Sequence, residues 1–394
     1  FLYSMIHCSN VELIVVNEMR MLGYVGLIVL VALVERYSLS RDGNRIKLQS
    51  RNQSKISIVT LTILSVLFGL YSSVGMSIAQ TEDRIVYAQT FFENITDSHT
   101  VGLNFLYKIL TPFSNNPKIL FFTVAFLSVF LILLAHRLNN DAQPNTLLYL
   151  VLSQCFIYSF YLLKQAPAIG LAALATTMLL QEKKLLSLLF LVLAILFHES
   201  ALIIIPVFIL ILFADIPWVR RSSYVLMILV VIFFIPFARV TIGVLGKFAP
   251  IYLADLPFYF GDEGLVAESM NLPTTVKGFP FYLITIYGFR RRKEYIGSIR
   301  HYDKYMIMSF FVSSTFLLSA YMYWMWRFGT FFYFPVFVFA SQLASVNKDD
   351  KQDKLFSLLL MVSLGFWTLR YLYRLFYVFG GLDGVSNFNL YSHI

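Results

Sequence analysis

Residues 161–210 read YLLKQAPAIGLAALATTMLLQEKKLLSLLFLVLAILFHESALIIIPVFIL, and this stretch decides how the rest of the chain is interpreted. Its three apolar runs are separated by the Lys183–Lys184 pair and by His198, and Lys164 precedes the first run. A charge in the middle of a membrane-spanning helix costs about 2.5–3.5 kcal/mol on insertion scales. Polar residues that persist in such a sequence therefore mark turns or functional sites, and His198 is the first candidate.

The composition of the whole chain agrees with this interpretation. Of its 394 residues 58% are hydrophobic and 13% are charged, and the mean hydropathy is +0.71. A soluble domain carries about 25% charged residues. Because the apolar runs are continuous rather than alternating, they predict helices and not lipid-facing strands. The predicted fold is all-α, a polytopic integral membrane protein with a single transmembrane domain over residues 1–394.

The apolar runs predict about twelve crossings, some short or paired as hairpins, at 19–34, 56–79, 118–137, 145–163, 165–181, 185–197, 200–216, 222–238, 278–289, 305–322, 328–346 and 355–379. If the region 185–216 is a hairpin, one side of the membrane receives 20 Lys and Arg residues and the other side receives 8. The positive-inside rule favours this arrangement over a single helix. It places both termini outside and His198 at the non-cytoplasmic tip of a turn.

Two long loops are predicted on the non-cytoplasmic side, at 80–117 and 239–277. The first ends in VGLNFLYKIL, whose apolar positions recur at helical spacing and predict a helix in the plane of the membrane interface. The second is rich in proline and glycine, which predicts irregular backbone.

Several classes of function find no support in the sequence. The net charge of +9 comes from loops between apolar runs, so it predicts membrane orientation and no nucleic-acid partner. The arginine-rich run at 290–295 is interpreted as an anchor that fixes the orientation of the chain in the membrane. The Lys/Asp-rich run at 347–354 is interpreted as a solvated turn. No metal-ligand spacing and no nucleotide-binding loop occurs, so neither a metal nor another cofactor is expected.

The candidate functional residues collect near the non-cytoplasmic ends of the predicted crossings. They are Asp83, Arg84, Lys164, His198, Glu199, Arg239, Arg327, Arg370 and Arg374. Cations kept on the side that is poor in positive charge are explained by a phosphate or diphosphate ligand, because the arginine fork matches phosphate oxygens. Simpler interpretations stay open. The arginines fit snorkelling to lipid headgroups or an aromatic belt, and His198 fits a structural turn.

At this point the sequence resembles the EpsG-like branch of the Wzy-type polysaccharide polymerases. In that branch a basic residue and Gln open an Ala-rich helix, a lysine turn follows, and the next helix ends in Ala-x-x-Phe-His-x-Ser-Ala-Leu. Here that ending is formed by Ala194, Phe197, His198, Ser200, Ala201 and Leu202. EDRIVYAQTFF is similar to the family's Asp-x-x-x-Tyr segment, through Asp83 and Tyr87, and WRFGTFFYF is similar to its Arg-containing helix start, through Arg327. The resemblance covers about residues 56–345, and the chain departs from it where Lys164 replaces the usual arginine.

The resemblance implies a metal-independent glycosyltransferase at the periplasmic face of the bacterial inner membrane. Such an enzyme moves a growing glycan from undecaprenyl diphosphate to the next lipid-linked repeat unit, and chain-length regulator and flippase proteins are expected partners. Under this interpretation the catalytic candidates are His198 and Asp83. The substrate- and diphosphate-binding candidates are Arg327, Lys164, Arg370, Arg374, Arg239, Arg84 and Tyr87.

Two other functions remain open on the sequence. A flippase or transporter of the same lipid-linked oligosaccharide fits twelve crossings, but it must expose its site to both faces, whereas the polar candidates here cluster on one side. A membrane acyltransferase built around one histidine is the other alternative, and dependence on an acyl donor distinguishes it.

Overall fold

The structure is a computed structural model that describes residues 18–37, 56–76, 82–93, 101–233, 272–321, 325–347 and 350–373. Within these ranges every regular element is a helix, which confirms the all-α prediction. Of the predicted site residues, Arg239 and Arg374 lie outside the described residues, as does most of the predicted 239–277 loop.

The chain divides into two compact units. The first unit comprises Phe1–Ala201 and Met361–Ile394. Its helices are α1 (18–37), α2 (Ile58–Leu70, followed by a π-helical turn Tyr71–Gly75), α3 (Glu82–Phe92), α4 (Val101–Leu110), α5 (Lys118–Leu138), α6 (Thr146–Leu152), α7 (Gln165–Leu180) and α8 (Lys184–Phe197).

The second unit comprises Leu202–Leu360. Its helices are α9 (Ile204–Leu212), α10 (Pro217–Ile232), α11 (Leu272–Lys277), α12 (Phe279–Tyr295), α13 (Tyr302–Leu318), α14 (Trp326–Gly329) and α15 (Tyr333–Leu343). The boundary between the units also falls within α16 (Lys351–Tyr373).

Three helices of the described chain are long and apolar enough to cross a membrane by themselves. They are Ile58–Gly75, Lys118–Leu138 and Lys351–Tyr373, and the longest two have 21 and 23 residues. At 1.5 Å per residue such helices match a hydrocarbon core of about 30 Å. Four other apolar helices of the described chain have only 10–17 residues, so twelve complete crossings stay a prediction.

Helix α7 forms the centre of the first unit. All of its residues are buried, including the three alanine-rich turns of QAPAIGLAALATTMLL. Small side chains let neighbouring helices approach closely. At Gly170 the approach of α5 is so close that a Cβ atom would lie 2.7 Å from the Leu131 Cβ and 3.1 Å from the Ser128 carbonyl oxygen.

The predicted crossing 145–163 is wrong as a continuous helix. Helix α6 ends after seven residues, Gln154 adopts a positive φ of 68°, and a 3-10 turn follows at Ile157–Phe160. Side chains and backbone of α16 satisfy this broken segment, because Gln154 donates to the Trp367 carbonyl at 3.0 Å and Thr368 donates to the Leu152 carbonyl. Irregular backbone is tolerated in an apolar protein where such partners exist.

The break predicted at His198 is confirmed. Helix α8 ends at Phe197, His198 is extended with φ −154° and ψ 115°, and a 3-10 turn at Glu199–Ile203 precedes α9. The predicted helix in VGLNFLYKIL is confirmed as α4. The segment before it, which was interpreted only as part of a loop, forms the additional helix α3.

Contacts within the first unit bring together the ends of the loops 35–55 and 137–144, which the charge distribution predicts to lie on the same side of the membrane. At one end the Glu35 carboxylate accepts the backbone N–H groups of Leu147 and Leu148 at 3.0 and 3.1 Å, and Arg137 donates to the Ile56 carbonyl. These residues border loops predicted to be cytoplasmic. Which face of the membrane this end meets stays a prediction.

In the second unit, ion pairs join three segments that were predicted to be cytoplasmic loops, 217–221, 290–304 and 347–354. Large parts of these segments are helical and belong to α10, α12, α13 and α16. Asp303 accepts from Arg220 at 2.7 Å and from Arg292 at 2.9 Å. One expectation needs correction here. Asp353 is not part of a solvated turn, because it is only 1% exposed. Arg291, in the run interpreted as a topology anchor, is buried and paired with Asp350.

Candidate active site

Helix α3 carries three of the predicted site residues, Asp83, Arg84 and Tyr87. Its first turn is acidic, which suits the positive end of the helix dipole. Arg84, Ala88 and Phe91 recur at helical spacing and are all buried, so they form the face that packs into the unit. Asp83 lies beside this face and is exposed, and Tyr87 is half-buried.

Arg84 anchors α3 to its neighbours. Its guanidinium lies 3.8 Å from the centre of the Phe121 ring on α5. It donates to the carbonyl oxygens of Phe160 and Ser72 at 2.8 and 2.9 Å, and its side chain is 0% exposed. Burial, reinforced by the nearby positive charge of Arg20, lowers the pKa of Arg84 to about 9. This placement makes Arg84 part of the packing that positions α3.

Lys164 and Tyr87 are brought together across the first unit. The Lys164 ammonium lies 5.7 Å from the centre of the Tyr87 ring, within the range of a cation–π contact. Lys164 stands immediately before α7 and is half-buried. A cation is disfavoured at a helix N-terminus by the dipole, and both the cation and the dipole favour an anion at that place.

His198 caps two elements at once. Its backbone N–H donates to the Ala194 carbonyl at the end of α8, and its own carbonyl accepts from the Ala201 N–H, both at 2.9 Å. Its side chain is half-buried, and its Nδ1 atom lies 3.4 Å from the Ser200 backbone nitrogen and 3.3 Å from the Ser200 hydroxyl oxygen. The ring is therefore held by the turn that follows it.

One apolar cluster supports the segments that carry Tyr87, Lys164 and His198. Its buried members are Ala88, Phe91, Leu103, Leu106, Tyr107, Leu110, Leu120, Phe121, Val124 and Leu163. Tyr87 and Phe197 pack against it, and Leu163 is the neighbour of Lys164. The Phe197 ring fits against Gly102, where a Cβ would lie 2.7 Å from the ring. The positions of all three segments thus depend on the same packing.

Arg370 belongs to the first unit as well. It is exposed near the end of α16, with its guanidinium 5.1 Å from the Trp367 ring centre. The next residue, Tyr371, stacks on Tyr161 with ring centres 5.8 Å apart. This end of α16 therefore packs on the segment that leads to Lys164.

Arg327 lies in the second unit, in the short helix α14. It is half-buried, and its carbonyl accepts from the Thr330 hydroxyl at 2.6 Å. Gly329 lets this turn approach α13, because a Cβ there would lie 2.4 Å from the Thr315 hydroxyl oxygen.

Comparison with known protein families identifies the family of this chain. A family model described as the EpsG family matches residues 55–380. The chain belongs to the EpsG family. Membership indicates a membrane protein of the glycosyltransferase or polymerase type. A search of curated proteins and a search of solved structures each returned no match.

The EpsG match confirms the family resemblance and extends it. The resemblance was placed on about residues 56–345, but the match continues to residue 380 and so includes Arg370 and Arg374. All nine predicted catalytic and binding residues lie inside the matched range.

Two residues of this EpsG chain were not singled out by the sequence. Gly102 sets the distance between α4 and Phe197, although a glycine near a helix start gives no signal of such a contact. Ser200 holds the imidazole of His198, and the only available signal was its place in the His-x-Ser ending of the family pattern.

Proposed function

We propose that this EpsG-family chain is a polysaccharide polymerase. It transfers a growing glycan from undecaprenyl diphosphate to the next lipid-linked repeat unit. The observation that carries the proposal is the placement of Lys164, a half-buried cation at the start of α7 that faces the Tyr87 ring. The neighbouring residue Leu163 belongs to the same apolar cluster that Phe197 packs against, and Phe197 directly precedes His198. Such a site suits an anionic group held beside an aromatic surface.

The proposed reaction needs few groups. A hydroxyl oxygen of the incoming unit forms a bond to the anomeric carbon of the growing glycan. The bond between that carbon and the diphosphate oxygen breaks, and its electron pair leaves with the lipid diphosphate. The hydroxyl proton passes to a base, for which the sequence offers His198 and Asp83. The step consumes no nucleotide, and we propose that it needs no metal ion.

Stabilisation of the negative charge on the leaving diphosphate is expected to contribute most to catalysis. Preorganised cations act more strongly in a water-poor site than in solution. We assign this role to Lys164 in the first unit. For Arg327, Arg370, Arg374 and Arg239, a contact with the diphosphate stays the prediction made from the sequence. Tyr87 provides the aromatic surface beside Lys164. Arg84 is assigned to positioning, because its side chain is buried and bonded to backbone carbonyls.

The proposal places the enzyme in the bacterial inner membrane with its site at the periplasmic face. A flippase then delivers the lipid-linked units, and a chain-length regulator acts on the product. The excess of Lys and Arg in the loops of the opposite side supports this orientation.

The test is incubation of the purified protein in nanodiscs with its lipid-linked repeat units, followed by a gel of the glycan. Wild type is expected to give a ladder of increasing length. Lys164→Ala is expected to slow the ladder roughly 10- to 100-fold, because a hydrogen bond to a charged group is worth about 1.5–3 kcal/mol. Lys183→Ala, at an exposed lysine beyond the far end of α7, serves as the matched control and is expected to behave as wild type.

Monomeric units with wild-type protein would contradict the proposal. A flipping assay in proteoliposomes then decides whether the protein transports the same units. An equal effect of Lys164→Ala and Lys183→Ala would remove Lys164 from the site.

A further inference from the structure

The turn after α8 determines which nitrogen of His198 carries the proton. The Ser200 backbone nitrogen lies 3.4 Å from Nδ1, and a backbone N–H can only donate. Nδ1 is therefore the acceptor in this contact. A neutral imidazole carries one proton, so the proton of His198 is on Nε2.

The geometry of the turn makes this assignment a property of the fold. His198 is extended and stands directly before the 3-10 turn Glu199–Ile203, which is the position and conformation of an N-cap. Its side chain accepts an N–H group two residues later, as Asn, Asp or Ser does at ordinary caps. The Ser200 hydroxyl lies 3.3 Å from the same nitrogen and adds a second contact there.

We infer that His198 acts through Nε2–H as a hydrogen-bond donor to a diphosphate oxygen, and that Ser200 is the positioning residue that holds this tautomer. The inference rests on the proposed function. It removes His198 from the choice of bases, so the hydroxyl proton of the incoming unit passes to the carboxylate of Asp83. The bonds formed and broken at the anomeric carbon are unchanged.

Two other roles for His198 make different demands on the ring. A general base needs the lone pair on Nε2, so its proton is on Nδ1. That proton would then face the Ser200 backbone N–H, and two donors would point at each other. A purely structural cap needs only an acceptor at the Nδ1 position and has no use for Nε2. Substitutions that supply one position at a time separate these roles.

The decisive pair is His198→Gln and His198→Asn. The amide nitrogen of glutamine reaches the place of Nε2 and keeps a donor there, although glutamine caps poorly. Asparagine reaches only the place of Nδ1 and is a strong N-cap. With a donor role, the rate constant for glycan extension falls less than about 10-fold in His198→Gln and more than about 100-fold in His198→Asn. Equal and large losses in both variants indicate a base, and wild-type activity of His198→Asn indicates a cap only; either result overturns the inference.

A spectroscopic measurement tests the tautomer without activity. The chain has 6 histidines, so the signal of His198 in the ¹⁵N-labelled protein is assigned by its loss in His198→Gln. A proton on Nε2 and a bare Nδ1 are expected, and the reverse tautomer refutes the inference. If wild type makes no ladder but shows the expected tautomer, the proposed function has failed while the assignment of the proton stands.

Ser200 is tested by Ser200→Ala and by the conservative Ser200→Thr. The alanine variant keeps the backbone N–H that fixes the tautomer, so the proton is expected to stay on Nε2. Loss of the hydroxyl contact loosens the ring and is expected to lower the rate constant about 3- to 10-fold at unchanged KM, and threonine is expected to restore the rate. A loss that threonine does not restore, or a change of KM alone, contradicts the positioning role.

Discussion

Replacing Gly102 by alanine is expected to disturb the support of His198 from a distance. Gly102 lies in the first turn of α4, and its missing side chain leaves room for the ring of Phe197. An added Cβ would lie 2.7 Å from one ring atom and 2.9 Å from two more. Ordinary contacts begin near 3.4 Å, so α4 and the end of α8 must separate by several tenths of an ångström.

The expected cost follows from two opposing terms. Overpacking a close contact costs about 1–3 kcal/mol. Exchanging glycine for alanine in a helix returns at most about 1 kcal/mol, and less in the first turn. The net destabilisation is therefore about 1–2 kcal/mol. Because Phe197 directly precedes His198, the same shift moves the imidazole, and a misplacement of this kind is expected to lower the rate of glycan extension as well.

Thermal unfolding in detergent measures the first effect, with a thiol-reactive dye reporting exposure of the buried Cys155 in a Cys8→Ser background. Gly26→Ala is the matched control, since no atom of the described residues lies within 4 Å of a Cβ there. Adding Phe197→Leu to Gly102→Ala removes the ring and should recover part of the lost stability. A Gly102→Ala protein as stable and active as the control would refute the close contact between α4 and α8.

Two further predictions concern the buried carboxylates of Asp353 and Glu35. Asp353 is 1% exposed, and both of its carboxylate oxygens accept from the Tyr295 hydroxyl at 2.7 Å. Asp353→Asn should therefore lower the free energy of unfolding by about 2–3 kcal/mol. An unchanged melting temperature would contradict this buried contact between Asp353 and Tyr295. Burial raises the pKa of Glu35 to about 7, so between about pH 5 and pH 7 the folded chain holds a proton that the unfolded chain releases. The melting temperature should fall as the pH rises through 7, Glu35→Gln should remove this slope, and the exposed control Glu182→Gln should keep it.

Much of the fold was predictable because membrane helices have a local signal. Continuous apolar runs predicted α5 and α7 to within one residue, and VGLNFLYKIL gave the correct helix. These helices depend on residues close together in the sequence. The break at His198 was also predicted, from the distribution of Lys and Arg between the two sides of the membrane.

Features that depend on distant partners were missed. The helix predicted over 145–163 is interrupted, and α16, more than 200 residues later, contacts the break: Thr368 donates to the Leu152 carbonyl, and the Gln154 side chain donates to the Trp367 carbonyl. Glu35 caps α6 across 112 residues, and Arg291 pairs with Asp350 across 59. Local composition says only that such residues are charged, and it gives no indication of the partner that the fold supplies.

The candidate site follows the same division. The family pattern and the charge distribution selected Lys164, Tyr87 and His198, and the structure adds that one apolar cluster supports the segments carrying them. No sequence pattern indicated that Arg84 is buried or that Ser200 orients the imidazole.

The central claim is that a lipid diphosphate leaves each time the glycan grows, and its release can be counted directly. Purified protein is supplied with lipid-linked units labelled in the carrier, and released carrier diphosphate is compared with the number of new glycosidic bonds. One carrier diphosphate is expected for each new glycosidic bond, and both numbers are expected to fall together in Lys164→Ala. Glycan growth without release of carrier diphosphate, or release without growth, would contradict this claim.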